Sequence, residues 1–167
     1  TEYFTKLQQR MKDRVLRIRR PSESAPRPYD SAPIPGIDTD RNTKRVGWKI
    51  YQGPFNWVPQ TFGLKVAKSG SSARMDVSKL DIDKGGAAEF KGFLTIETSG
   101  EYQFNVESDG GAILRLHDTV IVDNESVANG IRATQGKALL EKGTHPYTVT
   151  YLRGSEQKAK LSFSHSK

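Results

Sequence analysis

The sequence predicts a mostly β protein: an antiparallel β-barrel or β-sandwich, preceded by one N-terminal helix and a Pro-rich linker. Three observations carry that expectation. Apolar residues recur at spacings of three and four within residues 1–20, and five prolines crowd into residues 21–36. From residue 46 onward the apolar period falls to two, with glycine-containing turns between the runs.

The first element is an amphipathic basic arm over residues 1–20. Phe4, Leu7, Met11, Val15 and Ile18 fall on one helix face, and Pro21 ends the helix because its ring and missing N–H disfavour continuation. The linker over 21–45 begins PSESAPRPYDSAPIPG, a composition that favours extended conformations. The β domain over 46–167 opens at Trp48–Tyr51. Period-two or apolar runs follow at 93–96, 102–106, 113–116, 120–122, 138–140, 147–151 and 159–163. Turn residues separate them: Ser99–Gly100, Asp109–Gly110–Gly111, Asn129–Gly130, Lys142–Gly143 and Arg153–Gly154.

Composition narrows the function. The 167 residues suffice for one domain with a core, and 7 Phe, 6 Tyr and 2 Trp are too many for a disordered chain. With no Cys, disulfide scaffolds, thiol nucleophiles and Cys-ligated zinc are excluded. No apolar run approaches the ~20 residues of a membrane span. A start at Thr1 without Met leads us to expect a piece of something longer. The net charge of +7 invites a nucleic-acid reading, but residues 1–20 hold seven bases against two acids. Residues 46–167 hold 15 bases against 13 acids, so no basic binding surface is expected there and no nucleic-acid partner.

Catalysis is not expected either. The sequence contains no GxSxG, HExxH or GxxxxGK[ST]. His117 and Asp118 are adjacent, and strand neighbours point to opposite faces. His145 lies between Gly143 and Pro146, where a structural role is the default, and pairs such as Asp81/Asp83 read as solvated positions. The segment from Glu107 to Asn124 could gather oxygen ligands at one end of the domain, with Asp109, Asp123 and Asn124 supplying side chains. Spacing alone makes these ordinary turn residues. Asn124–Glu125–Ser126 also fits a glycosylation sequon.

Several segments, in order, resemble the PA14 domain family. They are Val46–Gly47–Trp48–Lys49–Ile50–Tyr51, Phe90–Lys91–Gly92–Phe93–Leu94, Gly100–Glu101–Tyr102–Gln103–Phe104, Ser108–Asp109–Gly110–Gly111, the strand pair closing on Asp123–Asn124, and Gly143–Thr144–His145–Pro146–Tyr147. The resemblance implies a β module of longer exported proteins, hence an extracytoplasmic location. It implies an accessory role, binding carbohydrate or positioning an upstream glycan-processing catalytic domain such as a sulfatase or glycoside hydrolase. The alternative is a purely structural or protein-contact module. In the family's calcium-dependent branch two consecutive aspartates hold the ion; here Asp109–Gly110 lacks the second, so no calcium and no other cofactor is expected.

Metal-free sugar binding needs an aromatic face and a few fixed polar groups. Trp57, in the loop Gly53–Pro54–Phe55–Asn56–Trp57–Val58–Pro59, is the candidate platform, although large aromatics are more often buried. Asp109, Gly110, Gly111, Arg115, His117, Asp123 and Asn124 complete the candidate ligand-binding set. Arg115 and His117 are expected on one strand face, outside the core.

Overall fold

The computed structural model describes residues 33–39, 43–125 and 130–167. The helix expected over 1–20 and linker residues 21–32 lie outside the described residues, as does Ser126 of the sequon.

Among the described residues nine strands form the domain: β1 Val46–Tyr51, β2 Lys68–Ser72, β3 Ala87–Ile96, β4 Gly100–Ser108, β5 Gly111–Leu116, β6 Thr119–Asn124, β7 Arg132–Leu140, β8 Gly143–Leu152 and β9 Leu161–Ser166. One sheet runs β2-β1-β3-β8-β5-β6 and the other β7-β4-β9, with every ladder antiparallel. Neither sheet closes on itself, so the architecture is a sandwich rather than a barrel.

Alternation explains the layers. On β4, Tyr102, Phe104, Val106 and Ser108 are buried while Gln103, Asn105 and Glu107 between them are only half covered. Opposite them, Phe90, Leu94 and Ile96 of β3, Leu114 and Leu116 of β5, and Val149 and Tyr151 of β8 complete the inter-sheet core. Burying each such side chain contributes about 1.5–3 kcal/mol. A smaller apolar cluster, Val58 with Ile113 and Leu152, covers the outer face of the six-stranded sheet.

Several elements differ from the sequence reading. β2, Lys68–Ser72, is an exposed edge strand with no apolar residue, and β7 runs back to Arg132 through polar positions. Linker residues 33–39 dock across the β7–β8 hairpin. Ile34 donates to the Leu139 carbonyl and accepts from the Glu141 N–H, and Ile37 donates to the Thr144 carbonyl. His145 belongs to β8 rather than to a turn, paired with Leu94.

Candidate functional site

Tyr51 at the end of β1, Ala87 at the start of β3, Leu152 at the end of β8 and Gly111 at the start of β5 share one end of the large sheet. Asn124 of β6 pairs with Ala112 and joins them. The β1–β2 loop rises from this end. It is fixed by Phe55 N–H to the Gly85 carbonyl (2.9 Å) and by Val58 packing on Ile113 and Leu152. The candidates Trp57, Asp109, Gly110, Gly111, Asp123 and Asn124 therefore gather here.

Trp57 lies between the anchors Phe55 and Val58 and is 64% exposed, so the commoner fate of a buried tryptophan does not hold. Further along the loop Phe62 is fully exposed, whereas its neighbour Thr61 donates to the buried Glu89 carboxylate. A large aromatic side chain is thus presented to solvent from a loop tethered on both sides.

Asp109 is buried and its carboxylate is saturated. It accepts hydrogen bonds from the Tyr151 hydroxyl, the Arg153 guanidinium, and the Gly154 and Lys160 N–H groups, each of the last two at 3.1 Å. Arg153 in turn donates to the carbonyls of Gly154, Glu156 and Gln157, which fastens the β8–β9 connection. Burial and the hydrogen bond to Asp109 push the Tyr151 phenol up, so it remains a donor. Gly110 is required by close approach, since a Cβ there would lie 2.0 Å from the Leu152 carbonyl oxygen. Gly111 backs onto Val58.

Asn124 is buried and joins the two sheets. Its Nδ2 donates to Ser108 Oγ (3.2 Å) and to the Arg132 carbonyl (2.9 Å), and its Oδ1 accepts from Thr134 (2.9 Å). That amide is occupied internally rather than offered as a glycosylation acceptor. Asp123 Oδ1 accepts from the Glu125 N–H at 2.9 Å, and its Oδ2 is buried with no partner among the described residues.

The donor set does not fit calcium at the Asp109 turn. Both carboxylate oxygens are committed to four internal donors, and the neighbouring position has no room for a side chain. Among the described residues no three His, Asp or Glu groups converge on a point.

Arg115 and His117 lie at the other end of β5, away from the Trp57 loop. Arg115 is on the outer face of the sheet, as expected. His117 is not on that face: with Asp118 it forms the two-residue turn between Leu116 and Thr119, both with positive φ (48° and 68°). Its Nε2 meets Nδ1 of the buried His145 at 2.7 Å, and His145 Nε2 reaches the Glu141 carbonyl at 2.7 Å. A carbonyl only accepts, so in the neutral pair His145 carries its proton on Nε2 and His117 donates from Nε2. Burial, and secondarily the neighbouring His145, hold the His117 pKa below the usual histidine range.

The residues that sequence reasoning missed are the partners of Asp109, namely Tyr151 and Arg153, and the exposed Phe62. Arg153 stands 44 positions from Asp109. The available signal was a lone arginine closing the alternating run of β8 just before Gly154.

A family model described as the PA14 domain matches residues 46–167. No curated protein matches the chain. Among solved structures, the chain is similar to a β-glucosidase from Kluyveromyces marxianus in complex with glucose. The identity is 17% and the TM-score 0.56, covering 73% of this chain and 16% of that one. It is similar to an anti-sigma factor domain-containing protein at 16% identity and TM-score 0.60, covering 79% and 45%. It is also similar to the epithelial adhesin 9 A domain from Candida glabrata in complex with Galb1-3GlcNAc, at 9% identity and TM-score 0.52, covering 80% and 88%. The chain thus spans 16% of the β-glucosidase's length, and likeness at these identities establishes a shared fold.

Proposed function

Because the chain belongs to the PA14 domain family, we propose that it is a non-catalytic accessory module that binds carbohydrate and positions a larger glycan-processing enzyme, a glycoside hydrolase or sulfatase, outside the cytoplasm. One observation carries the reading. Trp57 stands 64% exposed on a loop pinned to the Asp109 end of the sandwich. An indole held in that way offers a flat apolar face to sugar C–H groups without first being ordered by the ligand.

The polar candidates divide by role in this proposal. Asp109, Gly110, Gly111 and Asn124 build the end of the sandwich and hold its loops in place. Trp57 meets the ligand, and Asp123, whose Oδ2 has no partner among the described residues, is the carboxylate left to join it. Arg115 and His117 are too far along β5 to share that ligand. The β-glucosidase that shares this fold is a far longer chain, in keeping with a module built into an enzyme.

A glycan array probed with the full 167-residue chain tests the proposal. Binding is expected, weakened at least tenfold by Trp57→Ala, a change of about 1.4 kcal/mol. Since Trp57 is exposed, that variant should melt like the parent. Absence of binding to any glycan would overturn the proposal in favour of a structural or protein-contact module. The internal commitment of Asp109 and Asn124 is the observation that favours that second reading.

A further inference from the structure

A groove of about 400 Å³ opens at the beginning of β1, between the sheets and beside the edge strand β9. It lies at the other end of β1 from the Trp57 loop, about 17 Å away by strand rise. Its volume is that of a small-ligand site. Lys44, Arg45 and Arg74 line it together with Phe93, Tyr147 and Phe163, and no acidic residue among the described ones does.

Three features distinguish this groove from an ordinary surface furrow. Arg45 is held in place, its Nε donating to Ser71 Oγ (3.1 Å) and its Nη2 to the Ser71 carbonyl (2.9 Å). The Arg74 side chain is exposed and makes no ion pair or hydrogen bond among the described residues. Tyr147 is buried over most of its surface, and its hydroxyl, which keeps contact with solvent, makes no hydrogen bond to any described residue. That hydroxyl lies over Gly92, where a Cβ would come within 2.5 Å of it, so the glycine makes the space in which it sits. A hydroxyl that opens to the groove and is not committed to the protein can bond a ligand in place of water. The Tyr147 and Phe163 rings meet at 5.1 Å, forming an angled aromatic wall.

We propose that this groove is a second ligand site, and that it takes a saccharide bearing an anionic substituent, a carboxylate or a sulfate. Arg74 and the anchored Arg45 hold the anion, the Tyr147 hydroxyl bonds the sugar, and the half-buried Phe163 ring lies along its C–H face. A guanidinium suits both anions because its planar fork donates two parallel hydrogen bonds to either. The choice of a saccharide as ligand class rests on the function proposed above, whereas the groove itself is independent of Trp57.

The test measures binding to the full chain by titration calorimetry. The probes are an oligogalacturonate, a sulfated oligosaccharide, a neutral cello-oligosaccharide of equal length and polyglutamate. The variants are Arg74→Glu, Phe163→Ala and Trp57→Ala, with melting curves to show that each folds. At least one acidic saccharide is expected to bind tenfold or more tighter than the neutral one, and the arm that binds identifies the anion. Arg74→Glu should abolish this preference at low salt, Phe163→Ala should weaken binding of acidic sugar, and Trp57→Ala should leave it unchanged. Acidic-sugar binding indifferent to Arg74→Glu would overturn the proposal, as would polyglutamate binding equally well. Neutral sugars binding through Trp57 without acidic sugars binding would overturn this site alone. No saccharide binding at all would overturn both readings.

Discussion

Asp109 and Arg153, 44 residues apart, form a buried ion pair at the end of the sandwich, completed by the Tyr151 hydroxyl and two backbone N–H groups. Removing a charge from water is costly, and this pair offsets the cost only because nearly every donor and acceptor in it is used.

Breaking the pair should therefore be severe. Asp109→Ala strands a buried guanidinium and should cost about 3–5 kcal/mol. Arg153→Met, which leaves a buried carboxylate, should cost a similar amount. Chemical denaturation of the two single variants and the double variant checks this. The double variant should be less destabilised than the sum of the two, since neither charge is then left alone.

How much of this was legible in the sequence depends on range. β4 showed itself because a strand with one face in the core must alternate, and Tyr102, Phe104 and Val106 do. β2 did not, because Lys68–Ser72 is an exposed edge with no apolar face to alternate. The turn at Asp109–Gly110 was readable from its residue types, but its purpose was not. What makes Gly110 necessary is the Leu152 carbonyl, and what saturates Asp109 is Arg153, neither of them local. The exposure of Trp57 likewise follows from where Val58 and Phe55 anchor their loop, a contact with no periodic signature.

The inter-sheet amide supplies a second stability test. Asn124 donates to β4 and β7 and accepts from Thr134, so Asn124→Ala removes the amide donor from the Arg132 carbonyl, the acceptor from the Thr134 hydroxyl and one of the two side-chain bonds of Ser108 Oγ. A loss of about 1–3 kcal/mol is expected. Asn124→Asp should not rescue it, since a carboxylate cannot donate to the Arg132 carbonyl.

The β5–β6 turn carries its own strain. Asp118 at φ 68° occupies the left-handed region that glycine adopts without cost. Asp118→Gly should stabilise the protein by up to about 1 kcal/mol, raising Tm by about 2–4 °C. An unchanged or lowered Tm in a thermal melt would show that the aspartate is worth more than its strain.

Acidification should loosen the same corner through His117. Its pKa in the folded protein is held below the ordinary value of about 6.5, so between the folded value and 6.5 the unfolded chain binds more protons. Stability should therefore be full above about pH 6.5, fall as pH drops towards the folded pKa, and lose nothing further from this group below it. Denaturant midpoints across pH 4–8 measure the fall. His117→Gln keeps a donor within reach of His145 Nδ1 but cannot titrate, so its profile should be flatter than the parent's in that window.

Restoring the paired aspartate should not restore a calcium site. A side chain at position 110 would enter the space of the Leu152 carbonyl oxygen, 2.0 Å from where its Cβ must go, and 2.7 Å from the Gly154 nitrogen. Gly110→Asp must therefore push the β8–β9 connection away, and with it the Gly154 N–H and the Arg153 guanidinium that saturate Asp109. The variant should be destabilised by several kcal/mol. Because a ligand that binds only the native state raises Tm, calcium should leave the melting curves of both parent and variant unmoved. A calcium-dependent rise in the variant would mean that the glycine alone keeps the ion out. A rise in the parent would mean that other loops supply the missing oxygens.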